Sequence, residues 1–251
     1  LITKHKRHDH IFAGVGMFII ISLTITLLVL FLDLVFDGYP RFNLDFLTNF
    51  PSRRATAAGI LSAWIGSALV LIVTFFAAVP LGIAAGVYLE EYAKKNWFSD
   101  LIEINVTNLA GVPSIIYGLL ALGLFVYSFG LGQTILTAGL TLALLMLPIV
   151  IVATREAIRA IPIHIREAAY AVGATKWQVS LHHVIQYSYG GILTGVIIGM
   201  ARAIGETAPI ITIGALTFIA FLPPSPVGLE PPFINFEWLE AGFTVLPIQM
   251  F

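Results

Sequence analysis

Charge is what this sequence has least of. Only 11% of its 251 residues are Asp, Glu, Lys or Arg, against roughly a quarter in a soluble domain. Mean hydropathy is +0.94. The combination excludes a single soluble core and points to several membrane spans. Cysteine is absent altogether, which excludes disulfides, thiolate metal sites and a cysteine nucleophile, and leaves the compartment open. The formal net charge of −1 gives no basic excess of the kind a nucleic-acid partner requires. There is no nucleotide P-loop, and neither His-Glu-x-x-His nor Gly-x-Ser-x-Gly occurs, so the sequence offers no motif for a membrane protease or esterase. Solenoid repeats and low-complexity tracts are also missing. The chain begins with Leu1 rather than Met, and further residues are expected upstream.

What is present is apolar sequence in lengths that suit a bilayer. About 20 apolar residues cross one as a helix, the form that satisfies its own backbone in lipid. Five such stretches are predicted, at 11–32, 57–87, 104–127, 131–153 and 190–222. The first is too long for a secretory signal, and it ends at Leu32-Asp33 without a small-residue cleavage site. The Lys and Arg residues set the orientation. With the N-terminus inside, the inner segments hold Lys4, Lys6, Arg7, Lys94, Lys95, Arg155, Arg159, Arg166 and Lys176. The outer segments hold only Arg41, Arg53 and Arg54. The resulting organisation is a cytoplasmic tail at 1–10, a first span with an outer loop at 33–56, a core at 57–222 containing an inner loop at 154–189, and an outer segment at 223–251. That last segment is rich in Pro and has no Lys or Arg.

The inner loop is patterned. Ile161, Ile165, Ala168, Ala169 and Val172 recur at helical spacing, as do Trp177, Leu181, Val184 and Ile185. Two short amphipathic helices are predicted. Gly173 lies between them and can take the left-handed conformation that ends a helix. Thr175 and Gln178 have the spacing of a capping box for the second helix.

Within the last apolar stretch stand two charges, Arg202 and Glu206. Each costs roughly 3 kcal/mol at the bilayer centre on insertion scales. Gly191, Gly195, Gly199 and Ala203 form a small-residue stripe that lets a neighbouring helix come close. At about 100° per residue, Arg202 and Glu206 fall in the same arc, so both should face protein or a cavity. Four residues apart, they can meet. Either they are an ion pair tying helices together, or they serve a polar pathway. Ser114, Tyr117 and Thr207 are the hydroxyl candidates for such a pathway. Pro113, Pro148 and Pro209 are expected to kink their spans.

Other signals carry less. His5, His8 and His10 read as a solvated basic tail beside a span rather than a metal site. His182 and His183 lie on the polar side of a helix. Asn105-Val106-Thr107 matches a glycosylation acceptor but sits at the membrane.

The run Glu167-Ala168-Ala169-Tyr170-Ala171-Val172-Gly173 resembles the Glu-Ala-Ala loop of ABC importer permeases. In that family the short helix docks on an ATPase subunit, which by resemblance assigns docking to Glu167, Ala168, Ala169, Gly173 and Thr175. The loop departs from the family where a Leu-Pro pair and a second Pro are usual: here stand Ile185-Gln186 and Gly190. Three further stretches, "AGVPSIIYGL" (110–119), "LPIVIVATREAIRAIP" (147–162) and "ARAIGETAPI" (201–210), are similar to permeases of phosphate ABC importers. The Thr207-Ala208-Pro209 ending is similar to the PstA type rather than its partner, the PstC type. The resemblance implies an all-α integral membrane protein with the type I (MetI-like) permease bundle. It also implies a sixth span after "LPIQ" (246–249), beyond the five visible here.

It further implies a bacterial inner-membrane, multi-pass subunit that is not itself an enzyme and carries no cofactor or metal. ATP and Mg would belong to a partner ATPase dimer. The other partners would be a PstC-type permease, a periplasmic phosphate-binding protein, phosphate and membrane lipid. On this resemblance Arg202 would meet phosphate in the pathway, and Glu206 would weaken its hold enough for release. The rival readings are a permease for another oxyanion such as sulfate or molybdate, an ATP-independent anion symporter, and a non-transporting assembly subunit.

Overall fold

The computed structural model describes residues 2–54, 57–94, 96–216, 219–227 and 233–250, with side chains from residue 9 onward. Lys95 and the side chains of Lys4, His5, Lys6, Arg7 and His8, which entered the charge count and the N-terminal histidine cluster, lie outside the described residues. The chain divides into two compact units, residues 1–49 and 50–251. Among the described residues there is no strand, only an isolated antiparallel bridge between Val227 and Ile234.

The first unit is α1 (Ile2–Gly38), a one-turn 3₁₀ helix at Tyr39–Arg41 and α2 (Leu44–Thr48). The predicted first span lies inside α1, which runs on without a break from the 1–10 segment and continues six residues past 32. Its large apolar side chains, such as Phe12, Ile20, Leu27 and Phe36, are exposed on every side, as suits a helix solvated by lipid. Thr24 and Thr26 return their hydroxyls to the carbonyls of Ile20 (2.8 Å) and Ser22 (2.9 Å). Asn43 caps α2, accepting a hydrogen bond from the Phe46 N–H at 2.8 Å.

The second unit is built on α3 (Leu61–Val87) and α6 (Ile135–Arg159). They run parallel: Gly139 lies against Val73, Gly82 against Val150 and Gly86 against Thr154. A Cβ at Gly82 or Gly86 would sit 2.7 Å from its neighbour, so the pair is as close as it is because those side chains are missing. The Thr74 hydroxyl spans the interface to the Gly139 carbonyl at 3.1 Å. α9 (Ile185–Gly205) packs antiparallel on α6, with Gly191 on Ala157, Gly195 on Ala153 and Gly199 on Met146. The predicted small-residue stripe is therefore this helix interface.

Several predicted boundaries move. The third apolar stretch is two helices, α4 (Trp97–Leu109) and α5 (Ser114–Ala121). The latter is prolonged by π-helical residues Leu122–Ser128, and the two arms meet at 105°. Pro113 precedes α5 with extended backbone; it has no N–H for the helix ladder and disfavours helix in the residue before it. It breaks the span rather than kinking it. Pro80 and Pro148 do lie inside helices.

The fifth stretch ends as a helix at Gly205. Glu206 is extended (ψ 125°), and a short α10 (Ala208–Thr212) follows. Pro209 sits at the start of that new helix, where its missing N–H costs nothing.

The predicted second helix of the inner loop is not separate. α8 (Lys176–Val179) passes through a π turn, Ser180–Val184, directly into α9. With Ile185-Gln186 and Gly190 in place of prolines, nothing in the sequence stops it. Finally, the later part of the 223–251 segment, from Trp238 to Ile248, is anchored in the bundle, while Val227, Phe233, Ile234 and Phe236 are exposed. Trp238, Phe243, Val245 and Ile248 are buried in one core with Leu69, Val70, Ile135 and Leu142. The backbone is locked there by Ile135 N–H to the Ala241 carbonyl (3.1 Å) and by Leu246 N–H, at the start of α11 (Leu246–Gln249), to Ser67 Oγ (2.8 Å).

Candidate functional site

At the break after α9, Arg202 Nε donates to Glu206 Oε1 at 3.2 Å, so the predicted i, i+4 pair forms. The two side chains differ in setting. Glu206 is 15% exposed and Arg202 41%. Both were expected to face packed protein or a cavity, and Glu206 does. It lines a small recess of about 10 Å³ with Ser67, Val245 and Pro247, room for about one water. Arg202 instead stands at the edge of the packed stripe. It is about 100° round from Ala203 and about 60° from Gly199, and in this chain it is not covered.

The pairing uses Nε only. The two terminal guanidinium nitrogens make no hydrogen bond among the described residues, which leaves the planar end of the fork open.

Tyr117, half-buried on α5, lies within electrostatic reach of Arg202. Its hydroxyl donates to the Leu109 carbonyl at 2.8 Å, tying the two arms of the bent α4–α5 pair. α5 is held against α10 at Gly118, where an added Cβ would collide with Thr212 and Pro209. The structure thus brings Arg202, Glu206 and Tyr117 into one region. Thr207 is half-buried beside Glu206, but it lines a different space, an open cleft of about 370 Å³ with Ile204, Pro247 and Met250. Its side chain caps nothing on α10. Ser114 is half-buried and makes no hydrogen bond to Arg202 or Glu206 among the described residues.

The second region is the helical turn from α7 (Ile163–Ala171) to α8. Gly173 has φ +86°, the left-handed conformation predicted for it. The capping box is complete: Gln178 N–H donates to Thr175 Oγ1, and the Gln178 side chain accepts from the Thr175 N–H at 2.8 Å. Glu167, Ala168, Gly173 and Thr175 are exposed. Ala169 is not. At 5% exposure it packs inward on Ile158, Ile161, Val179 and Val184. Its small side chain seats α7 on its own core and does not add to the exposed face. Val172 (85% exposed) and Trp177, which periodicity assigns to apolar faces, instead point out around the turn. They leave an apolar patch beside Glu167 and Thr175.

A third set of residues was not singled out in the sequence. Glu90 and Glu91 end α3 in a π-helical turn, Tyr88–Tyr92. Glu90 and Glu103 together hold Arg155 and Arg159: Arg155 Nη2 lies 2.6 Å from Glu103, and Arg159 Nε lies 3.1 Å from Glu90. Glu91, only 7% exposed, holds Arg166 at 2.8 Å. The largely buried Arg166–Glu91 pair should cost about 3–5 kcal/mol to break by removing one partner, against about 1 kcal/mol or less for the half-exposed pairs of Arg159.

Glu103 lies on α4, the arm bent away from α5 by 105°. Its carboxyl is held below the usual carboxylate range, first by the hydrogen bond from Arg155. Burial opposes this, and the bond from Arg159 adds to it. The sequence shows the charges, with Arg155 and Arg159 one helical turn apart beside a span and a Glu-Glu pair closing another, but nothing in their spacing says that they meet.

The family described as "Binding-protein-dependent transport system inner membrane component" matches residues 78–226, which contain all three regions. The probable ABC transporter permease protein YqgI of Bacillus subtilis is 32% identical over 239 residues, 94% of this chain and 76% of that protein. The phosphate transport system permease protein PstA of Mycobacterium leprae is 40% identical over 195 residues, 78% of this chain and 59% of the relative. The protein of the same description from Haemophilus influenzae is 30% identical over 244 residues, 95% and 84%. With the family matched over more than half of the chain, and with relatives of 30% identity or more aligned over most of both chains, this protein belongs to the binding-protein-dependent transport system inner membrane components.

Proposed function

We propose that the chain is a permease subunit of an ATP-driven phosphate importer and forms half of the pathway. The observation that carries the reading is the Arg202 fork: Nε is engaged by Glu206, while the terminal nitrogens stay open at a helix break. A guanidinium presents two parallel charge-assisted bonds to phosphate oxygens. Glu206 competes for the same cation, so the anion is held but can leave. Tyr117 offers a polar edge nearby. Thr207 lines the adjoining cleft and Ser114 opens α5, where their hydroxyls would border the same pathway. The phosphate transport names of several relatives support phosphate over sulfate or molybdate. A symporter working alone would leave the exposed turn at Glu167–Trp177 without a purpose.

On this reading, the ATPase subunit docks at the end of the bundle that carries α7, with Glu167, Ala168, Gly173 and Thr175 in the contact and the Val172–Trp177 patch between them. That end would be cytoplasmic, because Arg155, Arg159, Arg166 and Lys176 gather there, and the protein would lie in a bacterial inner membrane with its N-terminus inside. The partners are a second permease of the PstC type, an ATPase dimer that binds ATP and Mg, and a periplasmic phosphate-binding protein. Purification of the assembled complex, followed by ATP hydrolysis and uptake assays in proteoliposomes, tests the reading. Phosphate-stimulated hydrolysis with uptake that ignores excess sulfate is expected. Uptake without any ATPase chain, or stimulation by sulfate alone, would contradict it.

A further inference from the structure

Three consecutive residues at the end of α3 each hold a different helix. In a regular helix, successive side chains diverge by about 100°, and the π turn at Tyr88–Tyr92 directs that divergence to three partners. Glu90 turns to Arg155 and Arg159 on α6. Glu91 turns to Arg166 on α7, accepting from Nε at 3.1 Å and Nη2 at 2.8 Å. The Tyr92 ring lies under Lys176 Nζ, 4.9 Å from the ring centroid, and Lys176 opens α8. Arg166 does more than meet Glu91. It also donates to the carbonyls of Ile161 and Ile158, each at 3.1 Å. One guanidinium therefore joins α7, the chain leaving α6, and the end of α3. The remaining support of α7 is apolar, through Ala169 and Ile165 on Ile158, Val179 and Val184.

We propose that Arg166 and Glu91 are the positioning pair that delivers a displacement of the exposed helix α7 to α3. The proposal rests on the reading of α7 as the ATPase docking element. Apolar contacts can slide over one another at little cost. A buried, multiply bonded ion pair cannot part without leaving a charge unpaired, so α3 follows α7. The Tyr92 hydroxyl on the same π turn is buried without a hydrogen-bond partner among the described residues.

The test measures ATP hydrolysis and phosphate uptake together in proteoliposomes of the whole complex. Arg166→Gln and Glu91→Gln should each retain the ATPase subunit and hydrolyse ATP within about twofold of the unsubstituted complex. Phosphate moved per ATP should fall at least about tenfold. Single charge reversals should be worse, and the exchange of the two residues (Arg166→Glu with Glu91→Arg) should recover uptake per ATP at least about threefold over either reversal alone. Recovery by the exchange keeps the test informative even if a single reversal assembles poorly. Unchanged coupling in both glutamine variants, or an exchange no better than the reversals, would overturn the pair's role while leaving the docking reading intact. An unsubstituted complex that retains no ATPase subunit would overturn both together.

Discussion

Replacing Arg202 by lysine preserves the charge and removes the fork, and the structure allows its effect to be sized. In the native chain Nε is engaged by Glu206 at 3.2 Å, so an incoming phosphate meets the two terminal nitrogens. Each charge-assisted bond contributes about 1.5–3 kcal/mol. A lysine ammonium can supply one such bond as a point charge, and it remains close to Glu206, which now has the whole cation to compete for. The net loss is about one bond, or about 1.5–3 kcal/mol. At 1.4 kcal/mol per decade that is about a 10- to 150-fold fall in occupancy of the site. The assay is uptake of labelled phosphate by proteoliposomes carrying the complete complex, with ATP inside and a saturating binding protein outside. Uptake should drop at least about tenfold while binding-protein docking and basal ATP hydrolysis persist. Uptake within about twofold of the unsubstituted complex would refute the fork argument, because the charge alone would then suffice.

Three other substitutions probe separate parts of the account. Glu206→Gln frees Arg202 from a partly exposed i, i+4 partner worth about 0.3–1 kcal/mol, so phosphate should bind about two- to fivefold tighter and leave more slowly, read as a lower half-saturation with a lower maximal rate. Gly173→Ala adds a Cβ that meets nothing within 4 Å, yet holds φ at +86°. The cost within this chain should be backbone strain, about 1 kcal/mol, seen as a small drop in melting temperature, and retention of the ATPase should weaken because Gly173 lies in the proposed contact. Trp177→Asp places charge on the exposed apolar turn without touching the core under α7, so co-purification of the ATPase should fail while the fold, followed by helical circular dichroism, is kept.

Local features were legible in the sequence and distant ones were not. The Thr175–Gln178 capping box, the left-handed Gly173 and the Arg202–Glu206 pair each depend on residues within a turn of one another, and spacing is enough to find them. The same holds for the stripe Gly191, Gly195, Gly199, Ala203, because one helix carries it. The Glu90–Arg159 and Glu91–Arg166 pairs join residues 69 and 75 positions apart, and no periodicity along the chain reports such a meeting. Hydropathy also misleads about backbone. It runs apolar through 190–222, while the helix stops at Gly205 and restarts at Ala208. Apolar composition states where a segment can reside, not whether its hydrogen-bond ladder is continuous. The Pro-rich 223–251 segment passed for a loop because its buried anchors, Trp238, Phe243, Val245 and Ile248, are few and irregularly spaced. Only their packing on α3 and α6 reveals that they belong to the core.

The absence of cysteine makes a direct measurement possible. A thiol introduced by Tyr117→Cys would stand in the region of Arg202 and Glu206, and its modification by a small charged thiol reagent can be followed on this chain by mass. If phosphate travels past Arg202, the thiol should react in the energised complex, saturating phosphate should slow the reaction several-fold, and modification should block uptake. A thiol that never reacts, or that reacts at a rate indifferent to phosphate while uptake continues, would place the route elsewhere and contradict the account.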